Sequence, residues 1–338
     1  MIEIKDLAFS YGKTPILKSI TTTLEEGRIY GLLGENGVGK TTLLTLLCGL
    51  KKVCSGSITT DGENPFDRTP TLLQNQFYLP DEVLTVSMKA ECFAKERGAF
   101  WPDYDHSKFL EIMKEFENDP AKKMNQMSAG QLKKTYISLA LACGCKYIFM
   151  DEPTNGLDIP SKTQFRSAIM KYTSDDSTIV ISTHQVRDLE NIIDPIIILD
   201  RQDVLLNASV EEITSKLYFD YGTQLHPESL YSEQLPGGFI QVYPNTTGED
   251  SKINVEALFN AVHNVLVGQP TAEEITTELQ LTGRRIAYTL AIPKGDTHNW
   301  DNVRVAFFGQ TFRTCGGAVQ GIEAMIPLRW NKKVQVEC

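Results

Sequence analysis

No stretch of the 338 residues approaches the roughly 20 apolar residues that cross a bilayer, and the longest apolar runs, such as Ile196–Leu199, are strand-sized. Any membrane role is therefore expected to need a partner chain. Basic charge is also scarce: 33 Lys+Arg stand against 43 Asp+Glu, a formal net charge of −10. Residues 216–338 hold 10 basic and 13 acidic side chains, which leaves 23 and 30 upstream, so neither part is a basic arm. No nucleic-acid partner is expected from this balance, since such binders normally present a basic face. The seven cysteines lack paired CxxC spacing, and Cys143 and Cys145 have no second pair or His beside them. Buried free thiols are expected rather than a metal centre. His226, His263 and His298 form no ligand cluster with the late cysteines. Internal repeats and Pro-, Gly- or Ser-rich linkers are missing as well. The opening MIEIKDLAFSYG lacks the basic-then-apolar order of a secretory signal, so a cytoplasmic chain is expected.

What remains is globular in texture, with 41% hydrophobic and 22% charged residues. The length suits one large domain with an appendage, or two modest domains. Up to about residue 215, short β-branched runs alternate with helix-period segments, the pattern of an α/β domain with a largely parallel sheet. RIYGLLG (28–34), KYIFMD (146–151), STIVIST (177–183) and PIIILD (195–200) read as buried strands. Helices are predicted over 43–50 and 131–143; in the second, Leu132, Tyr136, Leu139 and Cys143 recur at helical spacing. A helical subdomain is predicted over about 82–143. After about residue 215 the alternation stops and PESLYSEQLPGGF marks a turn-rich boundary, which predicts an accessory extension over 216–265 and a β-rich tail over 266–338.

Between a predicted strand and a predicted helix lies Gly34-Glu35-Asn36-Gly37-Val38-Gly39-Lys40-Thr41, which fits G-x-x-x-x-G-K-[ST] in its proper context. Glycines let the backbone turn its amides inward, and the following helix presents its partly positive N-terminus to phosphate. Lys40 is expected at the β- and γ-phosphates, and the Thr41 hydroxyl on Mg²⁺, with Gly34, Asn36, Gly37, Gly39 and Thr42 in the same cradle. In YIFMDEP, Asp151 is expected to face the metal and Glu152 to orient the attacking water. His184 follows Glu152 by 32 residues at the end of another strand, where open parallel sheets place ligands.

Met127-Ser128-Ala129-Gly130-Gln131 opens a helix 20 residues before Asp151, and with the elements above it resembles the signature of the ABC ATPases, usually LSGGQ. The resemblance covers residues 1 to about 215 and implies a P-loop NTPase fold that binds and hydrolyses ATP with Mg²⁺. In that family the signature of one subunit closes on the nucleotide of another. Ser128, Gly130 and Gln131 would then serve a partner's site, and a second ATPase subunit is implied. Tyr11 matches the aromatic that stacks on adenine, Asp158 the D-loop acid that helps join the two sites, and His184 the switch histidine.

Four positions depart from the family pattern. In FYLPDEV, Asp81 stands where many members have a Gln linked to the metal; Gln74 and Gln76 are lower-ranked alternatives. Ala129 replaces a glycine, and Asn155-Gly156 replaces the commoner Ser-Ala. The closest likeness is to ATPases that drive a separately encoded membrane permease. It implies a peripheral position at the inner face of the cell membrane, with export as the first expectation. Phe93, Phe100, Trp101 and Tyr104 are candidates for the docking surface, with core packing as the alternative. A soluble ABC protein acting on ribosomes or DNA, and a regulatory subunit that binds ATP without turnover, stay open as alternatives. The last seventy or so residues faintly resemble small phage head–tail proteins.

Overall fold

The computed structural model describes residues 1–200 and 202–266, and beyond them six short strands between Tyr288 and Val336. Its first unit comprises Met1–Ser215 together with Asp250–Phe259. This unit opens with β1 (Ile2–Tyr11), β2 (Thr14–Leu24), β3 (Ile29–Leu33), α1 (Lys40–Leu47), β4 (Ser55–Thr60), α2 (Pro70–Gln74) and β5 (Gln76–Leu79). Three helices follow, α3 (Ala90–Gly98), α4 (His106–Glu115) and α5 (Ala129–Ala142). The remainder is β6 (Tyr147–Asp151), α6 (Ile159–Tyr172), β7 (Thr178–Thr183), β8 (Ile196–Asp200), β9 (Asp203–Ala208) and α7 (Val210–Lys216), the last residue of which is counted with the second unit.

Two sheets result. The larger runs β5-β6-β7-β3-β8-β9, parallel except for the antiparallel β9 at its edge. Every residue of β6, β7 and β8 is buried, which explains why these strands read as unbroken apolar runs rather than as alternation. The smaller sheet, β2-β1-β4, is antiparallel. Register shifts along β1 keep Ile2, Ile4, Leu7 and Phe9 all buried although their spacing is not a strict two.

Helix α1 belongs to the core these sheets build. Leu43, Leu44, Leu46 and Leu47 cluster with Ile4, Leu7 and Leu17 of the small sheet and with Tyr30, Leu32, Phe149 and Val180 of the large one. Only Thr41 of the eight α1 residues is not buried, so the helix is enclosed on nearly every side. Each buried leucine side chain contributes about 1.5–3 kcal/mol. The phosphate-binding helix is therefore fixed by packing on both sides.

The helices of the subdomain begin where their caps stand. α5 starts at Ala129, two residues before the predicted start, because Ser128 accepts from the Gln131 N–H while Gln131 returns a side-chain bond to the Ser128 N–H. α1 likewise starts at Lys40, right after Gly39. Of the aromatic docking candidates, Phe93 is core, 5% exposed, whereas Phe100 is 68% exposed. Trp101 stacks near Phe77 with centroids 5.1 Å apart and donates to the Gln76 carbonyl at 3.0 Å. Tyr104 meets His106 Nδ1 at 2.8 Å.

The expectation of buried thiols needs correction. Cys48, Cys143 and Cys145 are buried, where burial raises the pKa of each, but Cys54 and Cys92 are exposed. Both of these lie on faces that the apolar pattern leaves to solvent.

The second unit comprises Lys216–Glu249 and Asn260–Cys338. It contains β10 (Leu217–Gly222), β11 (Tyr231–Leu235) and β12 (Gly238–Pro244), antiparallel in the order β10-β12-β11. The segment GGFIQVYPN contains β12, and NVEALFNAVHN lies on α8 (Val255–Leu266), whose residues up to Phe259 are counted with the first unit. Asp250–Phe259 is tied into the first unit through Arg187 to Glu256 and the Val255 N–H to Glu190 Oε1 at 3.1 Å. Apart from the six short strands, the predicted β-rich tail over 266–338 and its phage-protein likeness lie outside the described residues.

Candidate active site

The loop between β3 and α1 forms one wall of a cleft of about 300 Å³ lined by Tyr11, Ile16, Asn36, Gly37, Gly39, Lys40, Thr41, Thr42, Asp81, Asp151 and Glu152. Two glycines are required by geometry. Gly39 holds φ 116°, and a Cβ there would stand 2.9 Å from Leu17 Cδ2. At Gly34 a Cβ would stand 2.5 Å from the Leu199 carbonyl oxygen, so the loop passes β8 at a distance only glycine allows.

Lys40 is 6% exposed and donates to the carbonyls of Gly34 at 2.7 Å and Glu35 at 3.1 Å, with Glu152 Oε1 3.7 Å away. Burial lowers its pKa, an effect opposed by the nearby Glu152 and Asp151 carboxylates. The ammonium thus lies folded against its own loop, beside the space a phosphate would fill.

Thr41 Oγ1 donates to Asp151 Oδ2 at 2.7 Å, and Asp151 is 2% exposed at the end of β6. A hydroxyl and a carboxylate side by side are the hard oxygen donors Mg²⁺ takes, so the residues fit that ion. Glu152 follows at φ 46°, a left-handed conformation that costs a non-glycine residue about 1–3 kcal/mol. Three contacts hold it there. Its N–H donates to the Ser182 carbonyl at 3.1 Å and to Ser182 Oγ at 3.2 Å, and its carboxylate meets His184 Nδ1 at 2.9 Å.

Ser182 escaped the sequence reading although it stands two residues before His184 in STIVIST. Its hydroxyl donates to Asp151 Oδ1 while accepting from the Glu152 N–H, so one buried side chain fixes both acids. Ser182→Ala is expected to destabilise the fold by about 1.5–3 kcal/mol, the worth of a hydrogen bond to a charged group, and to lower turnover. Urea unfolding alongside ATPase rates checks this, and unchanged stability with full turnover would refute it.

At the far end of the cleft Tyr11 is 48% exposed, its hydroxyl 3.5 Å from Thr42 Oγ1. Lys51 also escaped notice; its ammonium lies 4.4 Å from the Tyr11 ring centroid and donates to the Tyr11 hydroxyl. Asp81 does line the cleft, whereas Gln74 and Gln76 line a separate groove. Ser128, Gly130, Gln131 and Asp158 do not line this cleft. Ser128 and Gln131 serve the α5 cap, and Asp158 caps α6 by accepting from the Ser161 N–H at 3.0 Å; hydrogen bonding from the Ser161 side chain, and then from its N–H, lowers the Asp158 pKa. Among the described residues no group of three or more His, Cys, Asp or Glu side chains forms a metal-binding cluster.

A family profile described as ABC transporter matches residues 17–155. An ABC transporter ATP-binding protein of Treponema denticola is 30% identical over 201 residues, 58% of this chain and 40% of that protein, so the chain spans less than half of that relative's length. The ABC transporter ATP-binding protein YtrB of Bacillus subtilis is 28% identical over 219 residues, 63% of this chain and 73% of its own. The lantibiotic transport ATP-binding protein SrtF of Streptococcus pyogenes is 29% identical over 207 residues, 57% of this chain and 84% of its own. Among solved structures, an ATP-binding subunit of an ABC transporter superposes with a TM-score of 0.58 at 23% identity, covering 63% of this chain and 91% of that one. That likeness establishes the fold. With the cleft and these relatives together, residues 17–155 carry an ABC transporter family domain, and the chain is similar to ATP-binding proteins of ABC transporters.

Proposed function

We propose that the chain is the ATP-hydrolysing subunit of a transporter, working as a dimer at the inner face of the membrane against a separately encoded permease. The observation that carries the permease is a groove of about 500 Å³ lined by Leu50, Arg68, Leu73, Phe100 and Trp101 among others, at the junction of the α2–β5 segment and the helical subdomain. Phe100 and Leu50 are 68% and 48% exposed, a cost that a docked partner would remove. Among the described residues no helix is long and apolar enough to cross a membrane. Relatives named for lantibiotic transport and linearmycin resistance favour export, although a zinc-uptake ATP-binding protein also matches at 25% identity.

Lys40 would exchange the Gly34 and Glu35 carbonyls for phosphate oxygens, which bind an ammonium more strongly because they are charged. Thr41 and Asp151 would hold Mg²⁺, which when bound neutralises phosphate charge and orients the γ-phosphate. Glu152 accepts a proton from, or aligns, the attacking water, and His184 fixes its carboxylate. Tyr11 offers a half-exposed ring for adenine. The signature residues at the start of α5 would complete the site of the second subunit, where an N-terminal helix end favours phosphate.

Phe100→Asp combined with Leu50→Asp is expected to abolish co-purification with the permease and its effect on ATPase rate, while ATP binding by the free chain stays unchanged. Pull-down from membranes expressing both genes reads the first, and nucleotide titration the second. Retained co-purification would remove this groove from the interface, and co-purification with ribosomes instead would favour the soluble alternative.

A further inference from the structure

Two of the positions that depart from the usual family residues, 81 and 155, meet in space. Asn155 Nδ2 donates to Asp81 Oδ1 at 3.3 Å, and the same oxygen faces Lys133 Nζ at 3.3 Å. Lys133 stands on α5, five residues past Ser128, and is 4% exposed. Its ammonium also donates to the Pro80 carbonyl at 3.5 Å and to the Asp81 carbonyl. A buried ammonium is costly without a partner, and every partner found for this one lies in the segment Pro80–Asp81. That segment contributes Asp81 to the cleft holding Thr41, Asp151 and Glu152.

We propose that Lys133 is a positioning residue that balances Asp81, so that an acid and an ammonium together stand where the family usually has one neutral amide. The pair sums to zero charge, which leaves the cleft's attraction for a polyanionic nucleotide as a glutamine would leave it. It also ties the segment after β5 to the helix opened by the signature, with Asn155 joining the loop that follows Glu152. The inference rests on the ATP-site reading and deepens it. Removing one member must leave an uncompensated charge, and removing either has opposite consequences.

The test uses the full-length chain and a fluorescent ATP analogue titrated in EDTA and again in Mg²⁺, with thermal melting to report the fold. In EDTA, Asp81→Gln is expected to bind about fivefold more tightly, because Lys133 is then unopposed near the phosphates. Lys133→Gln is expected to bind about fivefold more weakly, because Asp81 is then unopposed. The double variant is expected within about twofold of the parent. A purely structural lysine would lower the melting temperature without splitting the two singles in sign. Shifts in the same direction, or a double variant no nearer the parent than the singles, would overturn the proposal. Should Lys133→Gln not fold, Asp81→Gln decides alone, and unchanged or weaker binding overturns it. Failure of the parent chain to bind the analogue at all would instead overturn the underlying ATP-site reading.

Discussion

Glu152→Gln is expected to slow ATP turnover by about 10²–10⁴-fold, the usual contribution of a general base, while ATP binding persists or tightens. The substitution is well posed because the amide is nearly isosteric and can still accept from His184, which now approaches the carboxylate at 2.9 Å. The left-handed backbone at residue 152 is held by N–H bonds to Ser182, which a side-chain change does not touch. What disappears is the proton acceptor and one buried negative charge beside the phosphate cradle. Losing the acceptor stops hydrolysis; losing the charge favours a polyanion. The ATP-bound dimer should therefore accumulate, as size-exclusion chromatography with ATP would reveal. A variant that keeps more than about a tenth of parental turnover would exclude Glu152 as the base and shift attention to His184.

Much of this site could be read from residues close together in sequence. Gly34–Thr42 is a local pattern, and β6, β7 and β8 announce themselves as apolar runs because both of their faces are covered. Lys133 could not be found that way. It stands 52 residues from Asp81, and on α5 it looks like one of two ordinary surface lysines until the fold buries it. Ser182 was hidden for a different reason: inside an apolar strand a serine reads as a tolerated small residue, and only the parallel register of β6 against β7, pairing Asp151 with Ser182, turns it toward both acids. The return of Asp250–Phe259 to the first unit is likewise a long-range packing outcome that the turn-rich boundary near 230 conceals. The pattern of misses is thus physical, because local chemistry writes loops and caps while pairing across elements writes the partners of charges.

Lys40→Met is expected to weaken ATP binding by about 10- to 100-fold, the worth of one charge-assisted hydrogen bond at about 1.5–3 kcal/mol, and to reduce turnover further. Methionine fills nearly the same volume, so packing around α1 should survive. Without the ammonium, the carbonyls of Gly34 and Glu35 lose their shared donor, buried Glu152 loses the cation 3.7 Å from its Oε1, and buried Asp151 loses a nearby opposite charge. The nucleotide-free protein should therefore also melt earlier than the parent, by an amount that Mg²⁺ partly restores by taking the cation's place beside Asp151. Combining Lys40→Met with Glu152→Gln removes one charge of each sign. Stability is then expected to recover toward the parent while ATP binding remains weak, since the second substitution relieves the unpaired acid but offers nothing to the phosphates. Undiminished nucleotide affinity in Lys40→Met, measured by titration at matched ionic strength, would show that the backbone amides and helix end hold the triphosphate without this side chain and would remove Lys40 from the site.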